Sequence, residues 1–198
     1  MLLDIIDHHR PASIVETGTW SGERATQMAL TAMRHQDRVH YIGFDLFEDA
    51  NAASDARELN VKRHYSLDEV WQRLHEFRVA NPGFSFTLFK GDTRHTLAEA
   101  LSLGHIKPDP DFAFIDGGHS IQTIASDWTA LMRAKVIVLD DYYQADNMGR
   151  RPDIMRYGCN RLVDDLDRRE WSVAVHSAGD PVSGGGVVAL AEVRRRVA

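Results

Sequence analysis

The sequence predicts an α/β protein: a doubly wound sheet of seven strands, mostly parallel, with an antiparallel hairpin at its C-terminal end. Three observations carry this. Short runs of β-branched and aromatic residues alternate with longer amphipathic segments, the pattern of βαβ units. A glycine-bearing turn, Gly18 to Gly22, joins the first such run to the first long amphipathic segment. The last two runs are separated only by residues 178–185, rich in Gly and Pro and too short for a helical crossover, so they should pair as a hairpin.

The first strand is expected at Ser13–Thr17, around Ile14-Val15, and the second at Val39–Asp45, around Tyr41-Ile42-Gly43-Phe44. Phe84–Lys90 follows as the third, with aromatic residues in alternation. Asp111–Asp116 and Lys135–Asp140 each run through apolar residues into an acid, and Trp171–Ser177 and Gly186–Glu192 close the sheet. Helical periodicity places helices at Glu23–Arg34, Leu67–Val79, Thr96–Leu103, Ile121–Met132 and Arg161–Arg168. Two stretches exceed a minimal alternation, residues 46–65 and 142–157. Both follow the carboxyl end of a strand, the edge where open α/β sheets bind ligands, so they read as lid-like insertions in one domain spanning 1–198.

With 198 residues, 43% hydrophobic and 26% charged, the chain fits one ordinary core. Its 23 basic against 29 acidic residues give a net charge of −6, which disfavours nucleic acid as the main partner. Asp4 and Asp7 interrupt the apolar start, and no run approaches ~20 apolar residues, so no membrane partner is expected and the reading is cytoplasmic. The single cysteine, Cys159, is read as packing. Oligomeric state is left open.

Glu16-Thr17-Gly18-Thr19-Trp20-Ser21-Gly22 sits at the first strand-to-helix turn, where glycines let a ligand approach the backbone. A carboxylate there would repel a pyrophosphate but suits an ammonium or sulfonium, which favours S-adenosylmethionine over a dinucleotide. Asp45 ends the second strand, placed to accept ribose hydroxyls. In Gly91-Asp92-Thr93, Asp92 could accept from an adenine amino group or equally cap the following helix.

Phe114-Ile115-Asp116-Gly117-Gly118-His119-Ser120 is followed, one helix later, by Val138-Leu139-Asp140-Asp141-Tyr142. Neighbouring strands lie ~4.8 Å apart, so Asp116, Asp140 and Asp141 should converge. Close carboxylates need protonation or a cation, and an all-oxygen set favours Mg²⁺, Mn²⁺ or Ca²⁺ over Zn²⁺. Asn147 could add a neutral ligand. His119, presented after two glycines, is a candidate general base, and Trp20, Tyr142 and Tyr143 are candidate pocket walls.

These motifs resemble the class I S-adenosylmethionine-dependent methyltransferases, specifically the bacterial family with a Phe-Ile-Asp-Gly-Gly-His-Ser-Tyr type motif, which includes sugar and small-molecule O-methyltransferases. The resemblance spans Ile14 through Val193 and implies a Rossmann-like fold. It implies that Glu16, Gly18 and Gly22 surround the methionine part of the cofactor, Asp45 the ribose, and Asp92 with Thr93 the adenine edge. Asp116, beside the cofactor, matches with Asp140 and Asp141 the metal-ligand positions of metal-dependent relatives. Gly158-Cys159-Asn160-Arg161-Leu162-Val163-Asp164 looks like the family's helix after the acidic pair. Two departures stand out: Ile121 where the family has tyrosine, and Arg133-Ala134 where it has Pro-Gly-Gly.

The expectation is therefore divalent-metal-assisted O-methylation of a small hydroxylated acceptor, with His119 as base and Asp116 beside the reacting centre. Two alternatives stay open. One is a metal-independent O- or N-methyltransferase. The other is a non-catalytic cofactor-binding protein of this fold, or a nicotinamide-dependent enzyme.

Overall fold

The computed structural model describes residues 1–182 and 185–196; the expected hairpin connection at 178–185 thus includes two residues, 183 and 184, outside the described set. Seven strands form one sheet: β1 (Ser13–Thr17), β2 (Val39–Asp45), β3 (Phe84–Lys90), β4 (Phe112–Ile115), β5 (Val136–Gln144), β6 (Trp171–Pro181) and β7 (Val187–Arg195). Their order is β3-β2-β1-β4-β5-β7-β6. β1 to β5 are parallel, and β7 runs antiparallel between β5 and β6, as expected.

Helices are α1 (Leu2–His9), α2 (Glu23–Ala32), α3 (Ala52–Glu58), α4 (Leu67–Ala80), α5 (Thr93–Ser102), α6 (Ile121–Leu131) and α7 (Asn160–Asp164). Residues alternate between the two faces of the sheet. Ile14, Phe112 and Phe114 pack with Met28, Val70 and Leu74 on one side, while Val15, Ala113 and Ile115 pack with Leu97, Ile124 and Trp128 on the other. Helices thus cover both faces, and Cys159 is buried in the second layer.

The first three strands have the expected bounds; the differences elsewhere have local causes. β5 does not stop at Asp140 but continues to Gln144, because Tyr142, Tyr143 and Gln144 pair with Ala189, Val188 and Val187 beyond an irregularity between Leu139 and Tyr142. The second insertion therefore begins inside a strand. α5 starts at Thr93 rather than Thr96, because the Asp92 carboxylate accepts the Arg94 N–H as an N-cap. α7 is shorter than expected, ending at Asp164. α1 was not expected: eight residues with two buried side chains, Ile5 and Ile6, give too little periodicity to read. α3, inside the first insertion, is fixed by a capping box between Asn51 and Ser54.

Candidate active site

The order of the sheet reverses between β1 and β4, and in open α/β sheets a crevice opens outside the carboxyl ends of such strands. The two chains leave the sheet almost in contact there. Gly18 has φ 86°, and a Cβ on it would run into the Asp116 carbonyl; a Cβ on Gly117 would meet Thr17 at 3.0 Å. Only glycines permit that approach. A cleft of about 300 Å³ lies over this junction, lined among others by Glu16, Gly18, Arg24, Asp45, Asp92, Thr93, Asp116 and His119.

Glu16, next to last in β1, is fully buried, with the Tyr41 hydroxyl donating to Oε2 and nothing on Oε1. Burial pushes its pKa up to about 7, against the opposing effects of Tyr41 and Arg24. An unpartnered buried carboxylate oxygen is costly unless a ligand completes it. Gly22, at φ 75°, starts α2, and Val70 and Leu74 of α4 pack where its side chain would be. Asp45 accepts the Trp20 N–H at 2.7 Å and the Phe47 N–H at 2.8 Å, which orients its carboxylate along the cleft wall. Burial raises its pKa, while these backbone donors oppose the rise.

Asp92 takes the capping role. Besides the Arg94 N–H it accepts the Arg94 guanidinium, with Arg57 3.7 Å away, and this pairing lowers its pKa. Asp92 and Thr93 line the cleft nonetheless.

The three acids do converge, but around protein cations. Arg24 Nη1 bonds to Asp116 Oδ2 and stands 3.9 Å from Asp140 Oδ2. Asp140 Oδ1 accepts the Asp141 N–H at 2.9 Å. Asp141, in left-handed backbone at φ 58° within the β5 irregularity, faces His119 Nε2 at 3.2 Å. Burial, with Asp140 next in weight, pushes the pKa of both Asp116 and Asp141 up, opposed by Arg24 and His119 respectively. Among the described residues no three His, Cys, Asp or Glu side chains are arranged to hold a metal ion, so the expected shared cation is not supported. Asn147 is exposed on its loop.

His119 is fixed at both ring nitrogens. Nδ1 lies 2.6 Å from the Glu58 carbonyl, which can only accept, so Nδ1 carries hydrogen. The Nε2 of the neutral ring would then point a lone pair at the Asp141 carboxylate, and that contact is favourable only with a proton between them.

The first insertion is fastened across the cleft at two points. Glu58 accepts from the Ser120 N–H at 2.9 Å and the Thr123 hydroxyl at 2.8 Å, while the Trp20 indole donates to the Arg63 carbonyl at 2.7 Å. Trp20 lines the cleft as expected. Tyr142 does not act as a wall; its ring packs on the core and its hydroxyl donates to Asp164 at 2.9 Å. Tyr143 faces Asp141.

Arg24, Glu58 and Asp127 had no place in the expected site. Arg24 carried a signal, since an arginine in the first turn opposes the helix dipole and calls for an acidic partner. Asp127 carried one too, standing between Ile124 and Trp128 on the buried face of α6. Its carboxylate faces Thr17 and Thr93 without reaching hydrogen-bond geometry, and burial pushes its pKa up to about 7. Glu58 lies in a stretch without periodicity, and nothing in the sequence marked it.

A family model described as a methyltransferase domain matches residues 15–142. No curated protein matches the chain in sequence. Among solved structures, the O-methyltransferase from Streptomyces achromogenes involved in tomaymycin synthesis, in complex with SAM, is 13% identical with TM-score 0.59, covering 98% of this chain and 77% of its own. An O-methyltransferase from Bacillus cereus in complex with SAH is 15% identical with TM-score 0.58, covering 98% and 78%. An rRNA methylase from Streptococcus thermophilus is 13% identical with TM-score 0.58, covering 98% and 94%. At these identities the likeness is one of fold.

Proposed function

The chain belongs to the methyltransferase-domain family, and from that premise we propose that it moves a methyl group from S-adenosylmethionine to the hydroxyl of a small molecule. The observation that carries the reading is the open, buried Oε1 of Glu16, in the cleft that His119 also lines, with Asp141 behind the ring. Glu16 suits the ammonium of the cofactor's methionine part, with Gly18 giving backbone access, while Gly22 packs against α4. Asp45 suits the ribose hydroxyls, and Thr93 with the Asp92 edge the adenine. Bound there, the cofactor supplies an activated methyl group on a sulfonium.

The rest falls to this chain's own side chains. Nε2 of His119, with its tautomer held by the Glu58 carbonyl, takes the proton of the acceptor hydroxyl, and the Asp141 carboxylate beside it stabilises the imidazolium that forms. Asp116, pinned by Arg24, keeps the β4 loop against Gly18, so that acceptor and cofactor meet in one geometry. The insertion from residue 46 to 65 closes over them and limits water. No step is routed through a divalent ion, since Arg24 already serves two of the three acids.

A small acceptor fits the net charge of −6 and a cleft of about 300 Å³ better than a phosphate backbone does. No helix among the described residues is long and apolar enough to cross a membrane, and we place the reaction in the cytoplasm. The test is incubation with methyl-labelled S-adenosylmethionine and separate panels of polyols, sugars, catechols, amines and rRNA. Label in a hydroxyl-bearing small molecule supports the reading. Label confined to rRNA or to amines refutes it.

A further inference from the structure

Carboxylates gathered in a partly buried site repel one another unless a positive charge lies among them. Here that charge belongs to a side chain. Arg24 Nη1 is bonded to Asp116 Oδ2 and reaches within 3.9 Å of Asp140 Oδ2, so one guanidinium serves an acid just after β4 and an acid within the neighbouring β5. The third acid, Asp141, has its own partner in His119.

Two further points bear on what Arg24 does. An arginine in the first turn of α2 sits at the positive end of the helix dipole, an unfavourable place that its acidic partners must offset. A guanidinium also cannot be discharged at any ordinary pH, so the compensation is permanent. A magnesium-sized ion would need carboxylate oxygens at about 2.1 Å in a near-octahedral shell. One oxygen of Asp116 is already bonded to Arg24, and an ion at the other would meet a like charge beside it.

We infer that Arg24 is the resident cation of this site, standing where a divalent ion would bind between Asp116 and Asp140, so that methyl transfer by this protein needs no divalent metal. The inference rests on the methyltransferase reading only in its statement about turnover. The occupancy of the acidic site by Arg24 stands apart from it.

The experiment is a Mn²⁺ titration followed by electron paramagnetic resonance on the full chain, wild type and Arg24→Ala, with an S-adenosylhomocysteine titration on the same samples. Wild type should show no saturable Mn²⁺ site. Arg24→Ala should gain one, at least tenfold tighter than any wild-type binding, and lose it again when Asp140→Asn is added. Arg24→Gln, which keeps most of the length without the charge, carries the same comparison should the alanine variant fail to fold. Wild-type Mn²⁺ binding as tight as in the variants overturns the inference, and so does the lack of any gain in them. Methyl transfer after exhaustive chelation should be undiminished, and a loss restored by Mn²⁺ overturns it as well. Failure to bind S-adenosylhomocysteine would instead strike the cofactor reading, and the Mn²⁺ comparison would still decide the role of Arg24.

Discussion

Replacing Glu16 by glutamine should move stability and cofactor affinity in opposite directions. The ligand-free protein carries this carboxyl fully buried, with one oxygen unpartnered and its pKa raised from 4.5 to about 7. The unfolded chain releases the proton near 4.5 while the folded chain keeps it to about 7, so folding loses stability as pH rises through that window. Full displacement corresponds to roughly 3 kcal/mol, at about 1.4 kcal/mol per pH unit, and about 2–3 kcal/mol of it falls between pH 5 and pH 8. Glutamine keeps an acceptor for Tyr41 and carries no charge, so Glu16→Gln should remove most of that pH dependence. Its melting temperature should exceed wild type by several degrees at pH 8 and by much less at pH 5, given roughly 2–4 °C per kcal/mol for a chain of this size. The same variant loses a charge-assisted partner for the cofactor ammonium and should bind S-adenosylhomocysteine about 10–100-fold more weakly, a cost of roughly 1.5–3 kcal/mol. Melting scans at the two pH values and calorimetric titration measure both. An equal shift at pH 5 and pH 8, or unchanged binding, would refute the reasoning.

Asp45→Ala removes the carboxylate held by the Trp20 and Phe47 N–H groups and should cost roughly 1–3 kcal/mol of cofactor affinity by calorimetry. His119→Ala should lower turnover by about 10²–10⁴ while leaving S-adenosylhomocysteine affinity nearly unchanged, and a fully active variant would leave no proton-accepting role for the ring. Asp127, buried with a pKa raised to about 7, destabilises the fold when ionised; Asp127→Asn should flatten the decline in melting temperature between pH 5 and pH 8, and a decline as steep as wild type would contradict its burial as a charge.

The sheet was legible because its central strands are buried on both faces and read as continuous apolar runs, as in Tyr41-Ile42-Gly43-Phe44 and Phe114-Ile115. The hairpin was legible from a connection too short for a crossover. What escaped were features decided by tertiary contact. The extension of β5 to Gln144 depends on pairing with β7, and α1 on two isoleucines packing against α2 and its neighbours. At the site, residue types that must be acidic or glycine announced themselves, and Glu16, Gly18, Asp45, Asp92, Thr93, Asp116 and His119 do line one cleft. Proximity of Asp116, Asp140 and Asp141 predicts a cation without saying whether an ion or a side chain supplies it, and the expected shared metal is not supported. Arg24, which pairs with Asp116, lies 92 residues from it in sequence, on α2.

On this reading the cleft between β1 and β4 takes a sulfonium nucleoside rather than a dinucleotide. Parallel calorimetric titrations of the unmodified protein with S-adenosylmethionine, S-adenosylhomocysteine and NAD test this most directly. Saturable binding of both sulfur nucleosides at one site, with no response to NAD under the same conditions, is the predicted result. Tight binding of NAD with no heat from either sulfur nucleoside would contradict the account.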